Sequence, residues 1–322
     1  MTLIQYFCAY VPPELIRSCG AVPEFFYPTT GDTQEADPLL PVPFCPFSKI
    51  LLHELLAGGG NEKIPLFALS CDASRRTWEA VCRFFQGPSP LALPVPFGGG
   101  QRAQDRFARE LRRLSRMLLS YTGGKEHFLE KRLRDEIHSS LEEKKKVAEQ
   151  YLSGCLSGGI LLDGSATERR NAATKRNTSV LLTASHLLVQ PVISFLEARG
   201  FTVYEDSPLG MRRKVFPAFS GPLPEDPYLA LAQLYLARKA PCPRAGIEQR
   251  RIFLLELVKR LKVQGVMALV PKFCDNVLYE TTMLQRFLPV PLLLLDHEAA
   301  NDFPAQWETR LDAFCETLEA SG

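Results

Sequence analysis

Apolar and polar positions along the chain fall into two textures. Short apolar runs of strand length occur at LIQYFCAY, AVPEFFY, KIPLFALS and PLALPVPF, and later at SVLLTAS, FTVYEDS, VMALVP and VPLLLLD. Between them lie segments whose apolar residues recur at helical period, such as PFSKILLHELLAG, DASRRTWEAVCRFFQ, LLVQPVISFLEARG, DPYLALAQLYLARK and NVLYETTMLQRFL. PPELIRSCG has proline at its start and glycine at its stop, the punctuation of a short helix. The prolines of PLALPVPF predict an edge strand or a strand end. Strands alternating with helices predict parallel sheets with right-handed crossovers. From Gln101 to about Leu156 the chain is instead charged and amphipathic at helical period, and GSATERRNAATKRN reads as a polar linker. The run EEKKK at 142–146 predicts a solvated helix face. The expected architecture is α/β, with two Rossmann- or flavodoxin-like domains joined by a helical segment. Residues 1–100 form the N-terminal α/β domain, 101–177 the helical segment and linker, and 178–322 the C-terminal α/β domain.

Composition narrows the function. The chain has 322 residues, enough for two ordinary domains, and 46% of them are hydrophobic, which supports a sizeable core. A net charge of +2 gives no electrostatic case for nucleic acid. The start, MTLIQYFCAYVPPEL, lacks the basic and long apolar regions of a signal peptide, and no apolar run reaches membrane-span length. These features predict a soluble cytoplasmic protein without a membrane or nucleic-acid partner.

Nine cysteines are an odd number for a disulfide framework. No CxxC, HExxH or GxxxxGK(S/T) pattern occurs, and the GGG runs at 58–60 and 98–100 read as loop glycines. Sites in open parallel sheets form beyond the C-terminal ends of strands. Cys71 follows the strand IPLFALS and opens a helix. Cys274 follows VMALVP and opens another, and Cys45 in PFCPFSK sits just before a helix with proline at its first position. A helix N-terminus favours the thiolate, the form that binds iron or zinc. Cys82 and Cys315 lie inside amphipathic helices, Cys8 in a strand, Cys19 near a helix end and Cys155 in a glycine-rich tail. These five are expected to be small core residues. Cys242, between two prolines in APCPRAG, is either a further ligand or part of an ordinary turn. Spacing alone leaves the loop cysteines open between a metal site and ordinary placement.

The ordered set of motifs resembles the D-component family of 2-hydroxyacyl-CoA dehydratases, with the related benzoyl-CoA reductase subunits and double-cubane cluster proteins. The likeness spans nearly the whole chain. It opens with YFCAYVPPELIRSCGAVPEFF and continues through CPFSK, SCDASRRTWE, SVLLTAS and LEARGFTVYEDSPLGMRR. It closes with GVMALVPKFCDN, LLLLDHE and QWETRLDAFCETLE. The resemblance implies an iron–sulfur cluster site between two α/β domains, held by Cys45, Cys71 and Cys274; whether Cys242 joins or replaces one of these metal ligands is left open by its own reading. It implies a 4Fe-4S cluster, or alternatively a double-cubane 8Fe-9S cluster. Three thiolates would leave one iron open for chemistry. The implied activity is an oxygen-sensitive lyase, which removes water from a 2-hydroxyacyl-CoA thioester after one low-potential electron makes the β proton acidic. The alternatives are a double-cubane-type reductase of a small molecule and a non-catalytic subunit that holds a cluster for a larger sibling. Implied partners are a homologous subunit, as heterodimer or homodimer, and a separate ATP-dependent activator that supplies the electron.

One catalytic candidate comes with the resemblance and a second from its place at a strand end. Glu14, in VPPEL, matches the entry motif and is expected either to serve proton transfer or to be a first-turn glutamate favoured by the helix dipole. His186, at a strand end, is a candidate proton donor with a structural role as its ordinary alternative. Arg212, Arg213 and Lys214 are candidates for phosphate or carboxylate contact, or a solvated loop. Lys272 and Asp275 flank Cys274, with Asp275 a candidate helix cap. The interval from Cys45 to Cys71 is shorter than the family pattern, and LLTASH stands where the family has a glycine-containing turn. Both departures bear on the substrate pocket more than on the cluster.

Overall fold

The computed structural model of the chain describes residues 2–27, 31–58, 62–152, 178–184, 187–207, 221–236, 247–298 and 305–320. It divides into two compact units. The first is Met1–Phe44, Ser48–Lys145 and Phe216–Gly246; the second is Cys45–Phe47, Lys146–Val215 and Ile247–Gly322.

The first unit contains β1 (Leu3–Tyr6), α1 (Pro13–Ser18), β2 (Val22–Phe25), most of α2 (Pro46–Ala57), β3 (Ile64–Leu69), α3 (Asp72–Phe84) and β4 (Leu91–Pro94). Its four strands pair in the order β2-β1-β3-β4, all parallel. β4 is the edge strand that its prolines predict. Pro65 is tolerated in the central strand because pairing with β4 begins one residue later, at Leu66. The chain leaves α1 through Gly20 at φ +83°, where a side chain would be strained, and the Ala21 N–H closes the turn on the Ile16 carbonyl.

Two long helices follow, α4 (Gln101–Thr122) and α5 (Leu129–Leu152). α4 lays Phe107, Leu111, Leu114 and Leu118 into the core with Ile4, Leu66 and Leu93 of the sheet. The polar remainder of α4 explains its charged texture. A later helix, α7 (Pro227–Leu236), packs against α4 in this unit, although its sequence lies within the 178–322 stretch. Eight of its ten residues are buried, from Pro227 to Leu236, so it is apolar all round rather than striped. Arg112 of α4 lies 4.8 Å from the Tyr228 ring centre and pairs with Asp226 at 2.5 Å, and the Ser115 and Tyr228 hydroxyls lie 3.1 Å apart.

The second unit contains β5 (Ser179–Ala184), α6 (Val189–Ala198), β6 (Thr202–Asp206), α8 (Ile247–Arg260), β7 (Gly265–Pro271), α9 (Asp275–Phe287), β8 (Leu292–His297) and α10 (Ala305–Ala320). Its strands are also all parallel, in the order β6-β5-β7-β8. Every residue of β7 is buried, as expected for an inner strand covered on both faces, and GVMALVP reads accordingly as an unbroken apolar run. The two units therefore share one strand order, which no sequence repeat announces. The fold is two α/β units, each with a four-stranded parallel sheet flanked by helices.

Candidate metal centre

In each sheet the winding reverses between the two inner strands, and the loops leaving their C-terminal ends flank that crevice. In the first unit these loops carry Cys8, two residues beyond β1, and Ser70–Cys71, just beyond β3. The Cys8 thiol lies 3.5 Å from the Ser70 hydroxyl. Cys71 is the N-cap of α3, with extended backbone, and its half-buried thiol accepts the Ser74 N–H at 3.4 Å. The Ser74 hydroxyl donates to the Ala68 carbonyl at 2.7 Å, so the first turn of α3 is tied directly to β3. The unpaired N–H groups and positive end of the helix favour the thiolate at this position.

Cys274 takes the corresponding position in the second unit, as N-cap of α9 just beyond β7, and is also half-buried. Its backbone is held in a tight turn. The Cys274 N–H donates to the Pro271 carbonyl at 3.1 Å, and the Lys272 N–H donates to the His297 carbonyl on β8 at 2.8 Å. Phe273 is driven to φ +61°, a left-handed conformation that costs a non-glycine residue about 1 kcal/mol or more. The cap is Cys274 itself. Asp275 is the exposed first residue of the helix, and Lys272 points its ammonium at Glu298, 2.7 Å away.

Cys45 precedes Pro46, the first residue of α2, and is half-buried. The three expected ligands thus share a place before a helix, with Cys71 in the first unit and Cys45 and Cys274 in the second. Among the described residues, no three His, Cys, Asp or Glu side chains gather as they would on a single metal ion. A cluster of several irons takes its thiolates one iron apiece, so the donor chemistry of these three cysteines fits such a group. Cys242, His186, Arg212, Arg213 and Lys214 lie outside the described residues, as does Cys155.

The remaining cysteines separate by burial. Cys19 caps the C-terminus of α1, and burial pushes its thiol up to about 12. Cys315 is buried in α10. Cys82 corrects the expectation of a core residue, because it is exposed. α3 turns Thr77, Ala80 and Val81 inward, and Cys82 falls beside that stripe rather than on it.

Glu14 is buried in the first turn of α1. It accepts hydrogen bonds from the Ser140 hydroxyl at 2.6 Å, the Lys144 ammonium at 2.6 Å and the Tyr235 hydroxyl at 2.7 Å. Burial alone would raise its pKa. The charge of Lys144 and these hydrogen bonds outweigh burial and hold the carboxyl at about 2. The group braces α1 to α5 and α7. Lys144 belongs to the EEKKK run, and with only 12% of its side chain exposed it departs from the solvated face expected there.

Sequence reading also missed Arg250 of α8, which is buried with Asp206 at the end of β6 and Glu280 of α9. The strand end VYED offered one signal, since two acids closing an apolar strand require partners if buried. His297, at the end of β8, is buried edge-on to Trp307, and burial lowers its pKa.

No helix among the described residues is long and apolar enough to cross a membrane. No protein of curated function matches the chain. A family model, 2-hydroxyglutaryl-CoA dehydratase, D-component, matches residues 8–154 and 161–318, which include Cys45, Cys71 and Cys274. That match covers nearly all of both α/β units, and the chain belongs to the 2-hydroxyglutaryl-CoA dehydratase D-component family.

Proposed function

We propose that the chain is the iron–sulfur subunit of a dehydratase acting on a 2-hydroxyacyl thioester. The family makes a dehydratase component the expected role. The observation that carries the finer reading is the matched placement of Cys71 and Cys274. Each is a half-buried thiol at the N-cap of the helix that follows an inner strand. Cys45, before α2, completes the set. Ordinary core cysteines have no reason to sit at helix N-termini beside the crevice of each sheet.

In this reading Cys45, Cys71 and Cys274 hold the cluster as thiolates, and the helix starts lower the cost of three negative sulfurs. When bound, such a group supplies the single low-potential electron that allows hydroxide to leave the carbon beside the thioester. The chain's own part is to hold these thiols in place and to exclude water from the thioester. Phe273, Leu278 and Tyr279 are large apolar residues exposed at the start of α9, and they support a homologous subunit as partner. A separate ATP-dependent activator is the proposed electron source.

The test is turnover under anoxic conditions. The chain, with a candidate partner subunit, activator and ATP, is expected to dehydrate a 2-hydroxyacyl-CoA, and to stop when the activator or ATP is withheld. Turnover that continues without an activator, or iron-free protein that turns over equally well, would contradict the reading.

A further inference from the structure

α9 carries Cys274 at its N-cap, yet only Glu280, Thr281 and Leu284 of its thirteen residues are buried. Leu284 is the one apolar side chain among them. Thr281 uses its hydroxyl within the helix, on the Val277 and Leu278 carbonyls, each at 3.0 Å. Glu280 therefore provides the polar docking of the helix, and it does so through Arg250, whose Nε donates to Oε1 at 3.0 Å. The same guanidinium bonds Asp206 of β6 and, at 3.3 Å, the Thr183 hydroxyl of β5. Thr183 and Asp206 are register partners, so their side chains share a face of the sheet. One side chain of α8 thus links β5, β6 and α9.

This network is a poor stabiliser. Arg250, Asp206 and Glu280 carry one net negative charge where none is more than 8% exposed. Nη1 of Arg250 has no hydrogen-bond partner among the described residues. Apolar residues of similar volume often serve a core as well as, or better than, a buried charge cluster. What the network does supply is direction, since a guanidinium fork accepts its partners in only a few orientations. In the first unit α3 is tied to its own strand by Ser74, which lies about one turn nearer to its cysteine cap than Glu280 lies to Cys274.

We propose that Arg250 is a positioning residue that fixes the seat of α9, and with it the thiol of Cys274. Its functional weight rests on the reading of Cys274 as a cluster ligand; the geometric claim stands apart from it. The test is therefore made first on metal-free, reduced protein, by mass-resolved alkylation of Cys274 and Cys71 in the parent, Glu280→Met and Arg250→Lys. Glu280→Met leaves the Arg250–Asp206 pair charge-balanced. The expected result is alkylation of Cys274 about tenfold faster in Glu280→Met (~1.4 kcal/mol of lost docking), with Cys71 unchanged and the melting temperature within a few degrees of the parent. Arg250→Lys, which keeps the charge and loses the fork, is expected to show the same selective change. Unchanged Cys274 reactivity in Glu280→Met, or an equal rise at both cysteines, overturns the proposal. Alkylation reads the position of the thiol whether or not the protein binds iron, so failure here is distinguishable from failure of the cluster reading. With a cluster reconstituted, the EPR signal of Glu280→Met is expected to broaden relative to the parent.

Discussion

Glu14 shows how one residue's surroundings set its role. Its carboxylate is buried and receives three donors, so it stays ionised well below the ordinary glutamate pKa of 4.5. Because the folded pKa is depressed, its contribution to stability is complete above about pH 4.5 and is lost as pH falls through about 2. The shift corresponds to roughly 3 kcal/mol. Glu14→Gln is expected to lose about that much at pH 7, because Lys144 is left without its counter-charge, and to flatten the acid limb of a stability–pH curve measured by calorimetry. An unchanged acid limb would show that Glu14 does not brace the helices. Burial also sorts the thiols. Alkylation at pH 8 is expected to reach exposed Cys82, whose thiol is raised by desolvation and by Glu79, well before Cys19, whose thiol is held at about 12, and buried Cys315. Peptide mapping reads this directly, and rapid labelling of Cys19 would contradict the packing of α1.

At the scale of elements, the turn Pro271–Cys274 stores backbone strain next to the proposed ligand. Phe273 is half-exposed at φ +61°, so its side chain contributes little packing in return for that conformation. Phe273→Gly is expected to raise stability by about 1 kcal/mol in chemical denaturation, less the backbone entropy that glycine adds to the unfolded chain. A loss of more than about 1 kcal/mol would mean that the aromatic ring holds the turn. Elements are also the scale at which the sequence was most legible. An inner strand such as GVMALVP reads as a pure apolar run because both of its faces are covered, and α3 reads as a helix because Thr77, Ala80 and Val81 return at helical spacing. Contacts between distant segments leave no such trace. Lys144 turns inward to a glutamate 130 residues away, Tyr235 reaches the same group across 221 residues, and α7 packs back on α4; none of these has a local period. Cys82 was misjudged for a related reason. Its helix is amphipathic, but the buried stripe is narrow, and the cysteine sits at its margin.

At the scale of the whole molecule, the two units repeat one strand order and place a thiol at the same point of each. The candidate loop cysteines were visible as residues between a strand and a helix. Their common N-cap position became visible only with the fold, although the two caps differ: Cys71 is extended and its thiol accepts the Ser74 N–H, whereas Cys274 lies at φ −96°, ψ 86° with no side-chain cap hydrogen bond. Each crevice is flanked by a loop that carries one of these thiols, Cys71 in the first unit and Cys274 in the second. The most direct measurement is iron, acid-labile sulfide and the EPR spectrum of protein purified and reconstituted without oxygen, for the parent, Cys71→Ser, Cys274→Ser and Cys82→Ser. About four iron and four sulfide per chain are expected in the parent and in Cys82→Ser, with the signal lost or altered in Cys71→Ser and Cys274→Ser. A parent without iron after reconstitution, or a signal indifferent to both ligand substitutions, would contradict the cluster reading.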